Sequence, residues 1–205
     1  MHDYVDEVLG SKAGIRVLKT LVRYRGKVFT IRELARTSGL SHTEVSLLVK
    51  GLERRGVVRL LPVGKAQQVV LNDESYVLKS IVEPMVKAEE NTLNSLVSSI
   101  RPFFKDKRIT SVCVFGSVVK GIETKASDID LLVIADDREV AIECAARASE
   151  VTLSEFGLGL SPIIMDRAVF VQRHGGGLAK SILESYKPVW GRDLKELVGN
   201  VKAGR

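Results

Sequence analysis

The chain has little cysteine, no long apolar run and few side-chain amides. Its 205 residues contain two cysteines. Cys113 falls in a buried-strand pattern and Cys144 in a helical one, so both read as inert core residues rather than a disulfide or a metal pair. No apolar run approaches the roughly 20 residues of a membrane-spanning helix, and no basic-then-apolar leader precedes a cleavage site. The expected location is therefore the cytoplasm, without membrane attachment. Asn and Gln total seven, a scarcity associated with heat-adapted proteins. An apolar share of 45% and a charged share of 27% are those of a globular chain and not of a disordered one. The length suits one large domain or two small ones.

The net charge of +6 is unevenly spread. Residues 1–75 carry 13 Lys and Arg against 8 Asp and Glu, whereas residues 106–205 hold 14 of each. A basic first third beside a neutral remainder predicts two jobs, the first of them facing a polyanion.

That first third is punctuated by helix signals. "TIRE" (Thr30 to Glu33) and "SHTE" (Ser41 to Glu44) are both capping boxes, in which the hydroxyl accepts an orphan amide and the Glu reaches back to the cap. Gly39 and Gly56 can end the two helices in a left-handed conformation. Upstream, Ile15, Leu18, Leu21 and Val22 make a helical face, and downstream "VVRLLPVGKAQQVVLN" reads as two strands joined around Pro62 to Lys65. Helix, helix, tight turn, helix and hairpin make a winged helix-turn-helix. In this order and spacing, residues 11–75 resemble the winged-helix regulators of bacteria and archaea. The resemblance implies that residues 41–55 form a recognition helix in a DNA major groove. Its outer face would carry Ser41, His42, Thr43, Ser46 and Lys50, with Arg54 and Arg55 nearer the DNA backbone and Lys65 and Gln67 on the wing. Val45, Leu47, Leu48 and Leu52 are expected in the core. A small protein-contact domain with solvated basic residues is the alternative.

Residues 76–105 are helical in pattern, with Pro84 a kink or break. Val77, Ile81, Leu93, Leu96, Val97 and Ile100 are expected to form an apolar seam, which would pair two chains as a homodimer or pack on the following domain.

The strongest signal is "GSVVKGIETKASDIDLLVI" (Gly116 to Ile134). "SVCVF" is a buried-strand pattern ending in Gly116 and Ser117, and "SDIDLLVIA" is a second strand. Alternate side chains of a strand share a face, so Asp128 and Asp130 point together while Ile129 enters the core. Two like charges at one edge repel, and a hard divalent cation with oxygen ligands is the usual remedy; Mg²⁺ held by carboxylates and phosphates fits best. Gly116 allows close backbone approach, and Ser117 with neighbouring amides can hold phosphate oxygens. A helix cap beside a surface acid is the alternative for the two aspartates. "HGGG" (His174 to Gly177) lacks the preceding strand of a phosphate loop and reads as a connection between helices.

The order Gly116, Ser117, Gly121, Ser127, Asp128, Ile129, Asp130 resembles the minimal nucleotidyltransferases of the DNA polymerase β-like superfamily. The ending "LAKSILESYKPVWGRDLKEL" is similar to archaeal proteins that join a winged helix to such a domain. The implied fold is α+β: a winged helix-turn-helix over 1–75, a helical linker over 76–105, and a nucleotidyltransferase domain over 106–205. The implied reaction transfers a nucleoside monophosphate from a nucleoside triphosphate, ATP first, to a hydroxyl. By resemblance, Gly116 and Ser117 hold the triphosphate and Asp128 and Asp130 are the catalytic metal ligands for Mg²⁺; Lys120 and Lys125, which match no fixed motif position, are phosphate candidates by nearness alone. Related minimal domains serve as antitoxins of helical toxins, some by adding AMP. One departure stands out. The third carboxylate, expected on the strand "LGLSPIIM", is replaced near its position by Ser161, with Asp166 beyond the strand and Glu155 before it. The sequence thus supports two readings: a nucleotidyltransferase recruited by a DNA-binding domain, or a DNA-binding transcriptional regulator whose second domain binds nucleotide without turnover.

Overall fold

A computed structural model describes residues 9–64, 66–121 and 128–199 of the chain. The chain divides into two compact units, Met1–Glu90 and Asn91–Arg205. Helices and sheet are mixed in both, which is the expected α+β class. No described helix is long and apolar enough to cross a membrane.

In the first unit, α1 (Lys12–Arg23) begins at Ser11, whose hydroxyl accepts the Gly14 amide at 2.9 Å. Gly14, Val17, Leu18 and Leu21 are its buried residues, the line of positions i, i+3, i+4 and i+7. The face read from the sequence is thus rotated: Val17 joins it, and Ile15 and Val22 are only half-buried. The two-residue strand β1 (Phe29–Thr30) leads into α2 (Ile31–Ser38), followed by α3 (His42–Arg54). Both capping boxes are formed. Thr30 and Glu33 exchange bonds of 3.1 and 3.2 Å, and Ser41 and Glu44 exchange bonds of 3.0 and 3.2 Å. These bonds favour the charged carboxylates, so Glu33 and Glu44 both titrate below the usual range. Gly39 (φ 67°) and Gly56 (φ 68°) end the helices as the sequence suggests. After α3 the Val57 amide reaches the Leu52 carbonyl and the Gly56 amide the Glu53 carbonyl, a Schellman stop.

The wing is β2 (Val58–Val63) paired antiparallel with β3 (Ala66–Leu71). Pro62 lies within β2, an edge strand where a missing amide is tolerated. β1 completes the sheet on the far side of β3; two residues are too few to show a strand period. Val45, Val49 and Leu52 point α3 into a core that includes Leu18, Leu21, Phe29 and Leu34. Each such side chain stabilises by about 1.5–3 kcal/mol. Leu47, expected in that core, is 68% exposed. It lies two residues past Val45, more than half a turn round the helix, and Val49 holds the inward position instead.

The connector divides between the units. A π-helical turn, Leu78–Val82, runs into α4 (Glu83–Glu90), and Val77, Leu78, Val82 and Val86 are buried in the first core with Ile81 against it. Pro84 cannot donate a helical amide, which matches the loosened turn before it. α5 (Thr92–Ile100) buries Leu96, Val97 and Ile100 in the second unit. Of the six seam residues, Leu93, Leu96, Val97 and Ile100 pack on the following domain, one of the two expected outcomes, whereas Val77 and Ile81 pack in the first core.

In the second unit, β4 (Ile109–Phe115), the short α6 (Ser117–Lys120), β5 (Ile129–Ala135), α7 (Arg138–Phe156), β6 (Leu160–Met165), α8 (Arg167–Arg173), α9 (Gly177–Glu184), β7 (Tyr186–Gly191) and α10 (Leu194–Gly199) follow in turn. The sheet order is β6-β5-β4-β7. β4 is antiparallel to β5 and β7, and α7 is the crossover that makes β6 parallel to β5. Alternate residues divide the sheet between two cores. Val112, Val114, Ile129, Leu131 and Val133 meet α5, Phe104 and α7, while Cys113, Phe115, Leu132 and Ile134 meet Phe170, Ala179, Ile182 and Leu194. Burial on both faces explains the unbroken apolar run after Asp130. The Cys113 thiol, buried at the sheet's centre, is pushed up to about 12, in keeping with an inert role.

Candidate functional site

The antiparallel register sets Phe115, the last residue of β4, across from Asp130, the second of β5. Gly116 then turns the chain into α6 with φ 82° and ψ −151°, a conformation almost confined to glycine. A Cβ placed on Gly116 would lie 2.1 Å from the Asp130 Oδ2. The bare backbone of Gly116 is therefore what makes room for the Asp130 carboxylate. Ser117 is half-exposed at the start of α6, Lys120 is exposed at its end, and Gly121 (φ 66°) stops it. Lys125 and Ser127 lie outside the described residues.

Asp128 is exposed and precedes β5, whereas Asp130 is half-buried within it. A second glycine, unanticipated from the sequence, matters here. A Cβ on Gly159 would lie 2.3 Å from the Asp128 Oδ1, and the Gly159 carbonyl accepts the Ile129 amide at 2.8 Å. Each aspartate thus rests against a glycine backbone, one on either side of β5. The "LGLS" segment holds a visible glycine, but its neighbour across the sheet depends on register.

The Asp130 carboxyl titrates above the usual carboxylate range, first because of burial and second because Asp128 is nearby. Its charged form is the disfavoured one in the folded site. That penalty is absent below the unfolded carboxylate pKa and develops as pH rises through the raised folded one. Neither aspartate has an ion-pair partner among the described residues. The donor set is carboxylate oxygen with no nitrogen or sulfur, which suits a hard divalent cation. Among the described residues no group of three or more His, Cys, Asp or Glu could hold a metal.

The parallel register explains this. Ser161 of β6 sits directly beside Asp130, so a serine occupies the neighbouring-strand position on the same face. Asp166 lies past the opposite end of the strand, as the residue that precedes α8. Glu155 accepts a bond from the Ser99 hydroxyl at 2.8 Å and is drawn toward α5. The His174 ring is bonded to the Val171 carbonyl at the end of α8, a local role.

In the first unit, His42, Thr43, Lys50, Arg54 and Arg55 are exposed on or just past α3, and Ser46 is half-exposed. The Ser41 hydroxyl is committed to the capping box, 2.7 Å from the Glu44 carboxylate. Thr43, Leu47, Lys50 and Arg54 recur at i, i+4, i+7 and i+11, a single outward stripe. Gln67 on the wing joins His42, Ser46, Thr30 and Arg32 around a groove of about 670 Å³. Arg32 was not anticipated, since only folding brings the start of α2 to the wing. Lys65 lies outside the described residues.

Residues 97–188 match the nucleotidyltransferase domain, and residues 14–62 match the IclR helix-turn-helix domain. Two proteins of Methanocaldococcus jannaschii are similar to this chain. MJ1305, whose name proposes a protein adenylyltransferase, is 28% identical over 119 residues, 52% of this chain and 75% of that protein. MJ0604, named in the same way, is 25% identical over 97 residues, 47% of this chain and 92% of that protein. Among solved structures, the antimony-specific transcriptional repressor AntR is 20% identical, with a TM-score of 0.38, over 44% of this chain and 78% of its own.

Proposed function

We infer, from a chain that carries a helix-turn-helix domain followed by a nucleotidyltransferase domain, that the protein transfers a nucleoside monophosphate to an acceptor hydroxyl at a target reached through DNA. The observation that supports this most is the packing of Gly116 against Asp130 beside Asp128. A glycine turn and a carboxylate pair with no ion-pair partner among the described residues meet at one end of the sheet. Asp128 and Asp130 would hold a divalent cation, Mg²⁺ by the hardness of their oxygens, which when bound would offset phosphate charge and acidify the acceptor hydroxyl. Gly116 and Ser117 would seat the triphosphate of ATP. In the overall change the acceptor oxygen bonds to the α-phosphorus, pyrophosphate leaves, and the hydroxyl proton passes to solvent. The names of the two archaeal relatives favour AMP and a protein acceptor; a helical partner protein of toxin type is one such acceptor.

The test is incubation with Mg²⁺ and each α-³²P-labelled nucleoside triphosphate, with and without host extract. Label is expected on a protein band, with pyrophosphate released, and both are lost in an Asp128→Asn, Asp130→Asn double variant. Transfer that survives in the double variant would remove the carboxylates from the reaction.

A second reading has its own observation. Ser161 stands where a third carboxylate would flank Asp130, which favours a nucleotide-binding transcriptional regulator without turnover. Both readings expect the first unit to bind duplex DNA through Thr43, Lys50, Arg54, Arg55 and Gln67. Affinity for a mixed duplex pool should fall linearly with salt on logarithmic axes, by about 0.9 per phosphate contacted. Lys50→Ala with Arg54→Ala should flatten that slope by about two contacts. No shift of any duplex at low salt would eliminate the DNA role.

A further inference from the structure

The second unit has another charged feature, at the end of its sheet remote from the aspartates. Ile109 opens β4, Ala135 closes β5 and Gly191 closes β7 at this end. At about 3.3 Å per residue, the five steps from Asp130 to Ala135 along β5 separate it from Asp130 by roughly 17 Å. A groove of about 630 Å³ lies there, lined by Lys105, Lys107, Arg167, Arg192, Trp190 and Asp136, among other residues.

The charges of this groove are not balanced locally. Asp106, which also lines it, is gripped by Arg108 at 2.9 and 3.0 Å, and the same guanidinium reaches Asp137 at 3.5 Å. Asp137 in turn caps α7 by accepting the amides of Glu139 and Val140. The nearest acids are therefore taken by one arginine and one helix end. Lys105, Lys107, Arg167 and Arg192 are all exposed, and none makes an ion pair among the described residues. Against them stand Asp136 in the groove and Asp166 beside Arg167 in the adjoining one. With Arg108 counted beside its two carboxylates, five cations face four acids, which leaves a net positive site among the described residues.

An isolated inorganic anion would need only the cations. Here an indole accompanies them: Trp190 is half-buried, with one side against the core of the sheet, and lines the groove. Cations spaced along a channel with an aromatic surface among them are the recognition chemistry of unpaired nucleotides, phosphates on the charges and a base on the ring. We propose that this groove binds single-stranded nucleic acid, with phosphodiesters on Lys105, Lys107, Arg167 and Arg192 and a base stacked on Trp190. The site is separate from the aspartate pair and does not depend on transferase activity.

Trp190 is the chain's only tryptophan, so its fluorescence reports on this groove in the intact protein. The experiment titrates the full chain with dodecamers of oligouridylate and of oligothymidylate at low salt. Saturable quenching is expected, with a logarithmic salt slope of about −3, four contacts at about 0.7 each. Equal response to both oligomers assigns recognition to phosphate and base, and preference for the ribose oligomer assigns it to RNA. Arg167→Ala with Arg192→Ala should weaken the titration at least tenfold. Lys105→Ala with Lys107→Ala should do the same from a different segment. Asp128→Asn with Asp130→Asn should leave it unchanged, so loss of the transferase reading would not touch this result. Binding of the oligomers with no change in fluorescence would place them elsewhere and overturn the proposal. Quenching that ignores both cation variants, or equal quenching by polyglutamate, would overturn it as well.

Discussion

Gly116→Ala is expected to lower the stability of the second unit by about 2–4 kcal/mol and to abolish Mg²⁺-dependent nucleotide binding. Two costs combine. The backbone at φ 82°, ψ −151° is nearly closed to an L side chain, at roughly 1–3 kcal/mol. The new methyl would also stand 2.1 Å from the Asp130 Oδ2 and 3.1 Å from its Cγ, so the carboxylate must move or the turn must open. Either movement separates the groups proposed to hold the triphosphate and its cation. The melting temperature of the unit should fall by about 5–15 °C, and titration with a non-hydrolysable ATP analogue should weaken at least a hundredfold. Gly121→Ala is the control. Gly121 is also left-handed, at φ 66°, but a Cβ there meets nothing within 4 Å. It should therefore cost only about 1 kcal/mol of backbone strain and retain binding. If Gly116→Ala binds the analogue as the parent does, the Gly116–Asp130 contact is not part of a nucleotide site.

The second large effect is a gain. Ser161→Asp restores a carboxylate beside Asp130 in the parallel register. It is expected to raise the rate of nucleotide transfer by about 10²-fold, the lower end of what a positioned general base contributes. Ser161 is exposed, so the substitution adds no buried bulk. Without a cation it adds a third like charge to a site where Asp130 is already pushed up by burial and by Asp128. The apo variant should therefore melt below the parent at neutral pH, and Mg²⁺ should stabilise it by a larger increment. Single-turnover label transfer and melting with and without Mg²⁺ check the two halves. A variant that binds Mg²⁺ and nucleotide more tightly yet transfers no faster would favour the non-turnover reading. A variant with unchanged cation response would show that residue 161 does not face the site.

The features that proved legible were those with local causes. Thr30 with Glu33 and Ser41 with Glu44 form their capping boxes within four residues, and Gly39 and Gly56 stop helices through their own φ angles. The buried run after Asp130 and the Gly-Ser turn before it were readable for the same reason. Features that failed involved choices local chemistry leaves open. Leu47 and Val49 are equally apolar, and the angular position of α3 decides which one is buried. Within the apolar residues of 77–100, Leu93 to Ile100 packed on the following domain, an expected alternative, but Val77 and Ile81 joined the first core instead.

By itself, then, the sequence determined the helix starts and stops, the wing hairpin, the basic first third, and the presence of a Gly-Ser turn with paired aspartates. These rest on hydrogen bonds and periodicities that span a few residues. The tertiary structure alone decided that Gly159 lies against Asp128, that Ser161 stands beside Asp130, and that Lys105, Arg167 and Arg192 gather round Trp190. Those relations follow from the register of strands joined through the 19-residue α7 and from the meeting of chain segments at one sheet end. A shift of one residue between β5 and β6 would reverse the facing of every side chain in the pair.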